Sequence, residues 1–120
     1  MCGDLPDLSA GVYHFGVHDF ALRRLREGDY RGVLVEATGD QAAVSGAPAV
    51  IVTSSVYWRN SWKSHARAYR HAYWDSGTIL ANLLAVGAAN RVPLKVVTGF
   101  VDRPVNRLLG LDDQREVALQ

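Results

Sequence analysis

A helix whose polar face disappears halfway along is the feature that most restricts what this chain can fold into. From Trp62, steps of three or four give Trp62, Ala66, Tyr69, Tyr73, Ser76, Leu80, Leu83 and Gly87 on one side, a spacing that no strand satisfies. Arg59, Lys63, Arg67, His71 and Asp75 follow one another at intervals of four, so the first half carries a basic stripe that ends at a His71–Asp75 pair. Beyond it, residues 78–89 (TILANLLAVGAA) keep only Thr78 and Asn82 as polar side chains. A helix apolar on every side is ordinarily covered on every side. About 12 residues are too few for a membrane span, which needs about 20, so this half is expected in a core or at a subunit boundary. Asn90 and Pro93 supply the stop.

The apolar run needs a domain around it, and 120 residues with 48% hydrophobic and 21% charged side chains can supply one. A formal charge of +1 argues against a dedicated nucleic-acid binder. Cys2 is the sole cysteine, which excludes an intrachain disulfide and a cysteine-rich zinc site. The N-terminus lacks the charged start and apolar centre of a signal peptide, so the expected location is cytoplasmic. The chain opens close to structure and closes on EVALQ, the start of an apolar strand; a single truncated domain over 1–120 is expected.

Taken in order, GVYHF at 11–15 and a second strand at 20–25 read as a hairpin across the turn at 16–19. Asp29 is placed as the N-cap of a short helix carrying Val33, Leu34 and Ala37 and closed by Gly39. Residues 40–47 add a helical turn. Residues 48–56 (PAVIVTSSV) are a β-branched run of the type found in buried central strands, and residues 93–98 (PLKVVT) give another strand, ended by Gly99. Asp102 caps a last short helix, in which Val105, Leu108 and Leu109 face inward and which Gly110 ends.

Self-contained enzyme signatures are absent: there is no Walker loop, GxSxG elbow, HExxH or CxxC pair. His14 and His18 straddle a turn, and His65 and His71 fall on different helix faces, so neither makes a paired metal site. Arg59, Lys63 and Arg67 beside Trp58, Trp62 and Tyr69 could stack bases, but a solvated face over a buried aromatic face is the better reading. The same cluster could hold a phosphate or a carboxylate.

Gly11-Val12-Tyr13-His14, Leu25-Arg26-Glu27-Gly28-Asp29, Trp62-Lys63, Arg67, Tyr69-Arg70, Asp75-Ser76-Gly77, Asn82-Leu83-Leu84, Gly99-Phe100, Val105-Asn106 and Leu108-Leu109-Gly110-Leu111-Asp112 occur in this order over nearly the whole chain. Their sequence resembles the C-terminal part of the nitroreductase-like flavin enzymes, above all the SagB/ThcOx type of dehydrogenase domain. The resemblance implies an α+β fold, a mixed or antiparallel sheet packed with helices around a long apolar central helix. It implies a homodimer with FMN at the subunit boundary and NAD(P)H or an organic substrate as electron source. The turn of Thr98, Gly99 and Phe100 is then expected against the flavin ring, since a glycine lets main chain approach a flat ring and a backbone N–H stabilises charge on it. Asp75 and Gly77 are expected to fix packing.

In the peptide-modifying members, which the resemblance links to a cyclodehydratase partner, a Lys-Tyr pair occupies the place of Lys63-Ser64. Lys63 matches and is the expected catalytic group. Ser64 departs, and a serine hydroxyl cannot replace a phenol as acid or base. The segment that grips the FMN phosphate in the family has no counterpart here. The expected activity is flavin-mediated redox of a small-molecule or peptide substrate, without nucleic acid or membrane; the alternative is a non-catalytic dimerisation or ligand-binding module of the same fold.

Overall fold

In the computed structural model, which describes residues 1–112 and 114–120, the order is β1 (Gly11–Gly16), β2 (Ala21–Glu27), α1 (Arg31–Ala37), α2 (Ala42–Ser45), β3 (Ser54–Val56), α3 (Tyr57–Ser64), α4 (Arg67–Ala89), α5 (Asp102–Leu109) and β4 (Glu116–Ala118). The architecture is α+β, with two small antiparallel sheets, β1–β2 and β3–β4, among the described residues. The expected hairpin forms, with a register shift between Val12 and Tyr13. Phe20 closes its turn at φ 53, and Asp19 pairs with Arg23 across it.

The core lies where α1 and α5 meet β4, with Val12, Leu34, Ala37, Val44, Val105, Leu108 and Ala118 buried together. Leu34 is almost fully buried, which alone contributes roughly 2 kcal/mol. The Asn106 side-chain oxygen, buried in this core, accepts the Ala118 N–H at 3.3 Å and so fixes α5 to β4. Gly110 ends α5 in the left-handed region at φ 71, where glycine is favoured.

Two helix starts lie one residue away from their expected caps. Asp29 does not cap α1, whose N-cap is Tyr30; its carboxylate instead accepts the Arg31 N–H at 3.0 Å and clasps the Arg31 guanidinium. The side-chain ion pair with Arg31 takes up the carboxylate instead. Asp102 lies inside the first turn of α5 behind Val101 and acts on the helix dipole without a cap bond.

The long helix is corrected in four respects. It breaks at His65, which adopts φ 48, so α3 and α4 are separate. The buried side of α4 begins with Ala68, Ala72 and Ser76, continues through the half-buried Leu80 and Leu83, and ends at Gly87. Small side chains let the helix approach its neighbours closely, while Trp62, Tyr69 and Tyr73 face solvent, Trp62 at 76% exposure. Residues 78–89 are not covered all round: Ile79, Leu84 and Val86 are exposed. Nor do His71 and Asp75 form an ion pair; His71 stacks on Trp74 at 5.4 Å, and Arg70 lies 5.8 Å over the same ring.

The two expected central strands are also corrected. Of residues 48–56 only Ser54, Ser55 and Val56 form a regular strand, paired with β4, and residues 93–98 form no regular element. Val50 exchanges both backbone hydrogen bonds with Met1, and Cys2 bridges Ala49 and Gly11, so the N-terminal residues tie the hairpin to the body. Thr53 pairs with Leu119 and Gln120, but the amides of Ile51, Val52 and residues 94–97 have no backbone acceptor among the described residues, which is why β-branched sequence alone did not make a sheet.

Candidate functional site

Three features can carry chemistry: an exposed segment and two cavities. The segment is Thr98-Gly99-Phe100, expected as a turn that ends a strand, where the structure has neither a turn nor a bend. Phe100 packs against the core, and the next residue is anchored by its Val101 N–H, which donates to the Ala37 carbonyl at 2.8 Å. Thr98 and Gly99, which precede these anchors, are exposed, and a side chain added at Gly99 would meet nothing within 4 Å. Their amides have no backbone acceptor among the described residues. Gly99 therefore leaves the main chain here open to a planar group.

The smaller cavity, of 240 Å³, lies between the end of the 48–56 run and α4. Thr53, Ser54 and Ser55 bring hydroxyls to it, Arg59 a guanidinium, and Asp75 a carboxylate. Among the described residues the Thr53 hydroxyl is a buried polar atom without a hydrogen-bond partner. Leaving it so costs roughly 1–3 kcal/mol, and a small polar or anionic group would satisfy it. The sequence signal, overlooked in favour of the basic stripe, is a hydroxyl triplet ending an apolar run four residues before Arg59.

The larger cavity, of 610 Å³, is walled by residues 48–52 and 92–97 and floored by Leu80, Leu83 and Leu84 of α4. Its lining is apolar apart from a few groups, with Lys95 as its charged side chain. Phe100 reaches it; Thr98, Gly99 and Lys63 line neither cavity.

Lys63 stands exposed in the last turn of α3, without an ion pair among the described residues. Phenols gather nearby instead: Tyr57 stacks on Tyr69 at 6.0 Å, and Tyr69 meets Tyr73 at 5.0 Å. Burial pushes the Tyr57 hydroxyl above its ordinary pKa, and the hydrogen bond with Tyr73 raises Tyr69. No three His, Cys, Asp or Glu side chains gather for a metal ion among the described residues, and no described helix is long and apolar enough to cross a membrane.

The sequence profile of the nitroreductase family matches residues 16–120. The chain belongs to the nitroreductase family. The fold agrees: a crystal structure of a protein ascribed to the nitroreductases, from Anabaena variabilis, superposes at a TM-score of 0.91 with 30% sequence identity. That match covers 96% of this chain and 24% of the other, so the chain spans about a quarter of the length of its relative. No curated protein matches the sequence.

Flavin cofactors are the group a nitroreductase fold implies, and the described residues fit FMN in one part only. Thr98 and Gly99 leave an open approach to a ring face. A phosphate needs converging cationic or N–H donors. Lys95 alone in the larger cavity, and Arg59 beside Asp75 in the smaller, do not make that grip.

Proposed function

We propose that this chain is part of an FMN-dependent oxidoreductase of the SagB/ThcOx type, acting on a small-molecule or peptide substrate with NAD(P)H or that substrate as electron source. Membership of the nitroreductase family over residues 16–120 supports the oxidoreductase class, and the open main chain at Gly99 is the observation that carries the assignment of the ring site. Bound FMN supplies the two-electron chemistry. The chain's own contribution is positional. Thr98 and Gly99 leave the main chain open to the ring, and Phe100 anchors the segment to the core. Lys63 offers an exposed ammonium to an anionic or carbonyl substrate group. Ser64 cannot supply a phenolic acid beside it, so azole formation together with a cyclodehydratase is less well supported than general flavin redox.

Homodimerisation is proposed through α4, which leaves Trp74 and Val86 exposed outside both cavities. The absence of a phosphate grip among the described residues favours one rival, a dimerisation or ligand-binding module that performs no redox step.

FMN titrated into the purified chain, followed by visible absorbance and size exclusion, separates these readings. A dimer that retains flavin, and loses at least about tenfold in affinity on Gly99→Val with its melting temperature unchanged, is the expected result. Flavin retained equally well by Gly99→Val contradicts the ring-site assignment. A colourless dimer favours the rival.

A further inference from the structure

The 240 Å³ cavity, where β3, α3 and α4 meet, gathers polar groups that the fold leaves unspent. Thr53 lines it, and the Thr53 hydroxyl is buried with no hydrogen-bond partner among the described residues. The Thr53 backbone, in contrast, is fully used: its N–H donates to the Gln120 carbonyl and its carbonyl accepts the Leu119 N–H, both at 2.8 Å. The residue is therefore fixed while its side chain goes unanswered. Ser76 of α4 lines the same cavity at 4% exposure. Its hydroxyl oxygen accepts a hydrogen bond from the Gln120 side-chain amide, which leaves the Ser76 O–H free to donate. Buried hydroxyls are ordinarily satisfied, so two of them on one cavity mark a place for a polar group.

Charge narrows what that group is. Arg59 of α3 and Asp75 of α4 both line the cavity, yet neither enters an ion pair among the described residues. Opposite charges on one small cavity that do not meet each other are answered together by an occupant that carries both. A phosphate would face the Asp75 carboxylate, and a metal ion would face the Arg59 guanidinium; among the described residues no three ligating side chains gather for a metal. A zwitterion meets neither objection. Its carboxylate suits Arg59 and the two hydroxyls, and its ammonium suits Asp75. Ile79 and Leu119 complete the lining with apolar surface, which suits a hydrocarbon side chain. The volume lies below the ~300–1,000 Å³ usual for pockets that take drug-sized ligands, so the occupant is small.

We infer that this cavity is a binding site for a small apolar α-amino acid, held through its carboxylate by Arg59, Thr53 and Ser76 and through its ammonium by Asp75. Thr98, Gly99 and Lys63 do not line the cavity, so the site stands whether or not flavin binds at Gly99.

The test titrates L-valine into the purified chain and follows backbone amide NMR shifts. N-acetyl-L-valine, which lacks the ammonium, and L-valinamide, which lacks the carboxylate, serve as the comparison probes. Saturable shifts centred on residues 53–60 and 72–79 are expected with L-valine, and each blocked analogue should bind at least about tenfold more weakly. Arg59→Gln and Asp75→Asn alter exposed side chains, and each should weaken L-valine by at least about tenfold without changing the melting temperature. Thr53→Val keeps the shape and removes the orphaned hydroxyl. Its melting temperature without ligand should be equal or higher, while its affinity for L-valine falls. No saturable shift at these residues, an analogue that binds as tightly as L-valine, or undiminished affinity in Arg59→Gln or Asp75→Asn overturns the site.

Discussion

The hairpin and the larger cavity, an open slot between residues 48–52 and 92–97, are opposite outcomes of the same sequence signal. β1 and β2 are largely exposed, with Val12 the one side chain buried to 1%, yet their backbones pair over their whole length. Residues 48–52 and 92–97 are far more β-branched and apolar, and their backbones face an open slot. The difference is the distance along the chain to the partner. A hairpin brings its own partner through a four-residue turn at 17–20, whereas a central strand depends on segments remote in sequence. Apolar β-branched sequence specifies an extended conformation and a buried face; the ladder is specified elsewhere.

The comparison can be broken first through side chains. Leu34→Ala, in the paired body, is expected to destabilise by roughly 2–5 kcal/mol, whereas Ile51→Ala on the slot wall should change stability by less than about 0.5 kcal/mol. Urea denaturation of the two variants measures this, and equal losses would place the slot inside the core. Asn106→Ala leaves the buried Ala118 N–H without its acceptor and should cost about 1–3 kcal/mol in the same assay.

Gly87→Ala probes the slot from behind. The added methyl would stand 2.9 Å from Leu94 Cγ and 3.2 Å from the Val92 carbonyl oxygen, so the wall must move. A loss of about 1–2 kcal/mol is expected, with NMR shift changes centred on residues 92–97; shifts confined to α4 would show that the wall is not held there.

The smallest effect belongs to the root of the hairpin. Hydrogen bonds from the Arg31 side chain, then its backbone N–H, hold Asp29 down from 3.8 to about 2. A carboxylate depressed in the folded state adds stability that is complete above the unfolded pKa and is lost as pH falls through the folded one. Asp29→Asn should therefore lose less than ~1 kcal/mol at neutral pH, the pair being exposed, and the difference from wild type should fade between pH 4 and about pH 2. A difference that persists at pH 2 contradicts this account.

Much of the fold was legible because local signals carry it. The hairpin, the helices at 31–37 and 102–109 and the stop at Gly110 follow from short β-branched and aromatic runs, helical spacing and glycine. The buried side of α4 was legible only in its second half, at Ser76, Leu80, Leu83 and Gly87. In the first half, large aromatic residues suggested the core, but close packing selected Ala68 and Ala72 and left Trp62, Tyr69 and Tyr73 outside. The break at His65 had no glycine or proline to announce it. Of the candidate site, the sequence indicated the Thr98-Gly99-Phe100 turn and Lys63, which the structure does not bring into one cavity. It did not indicate the orphaned Thr53 hydroxyl, because that position is defined by contacts between the 48–56 run and α4, far apart in sequence.

Residue-resolved amide exchange on the unaltered chain tests the contrast between paired and unpaired edges most directly. Val50 and Thr53 donate to Met1 and Gln120, so their amides should be protected, while Ile51 between them and residues 94–97 opposite should exchange close to the rate of an unstructured peptide. That alternation is the predicted result. Protection at Ile51 equal to that of Val50 and Thr53 would mean that the slot is closed in solution, and would contradict the account.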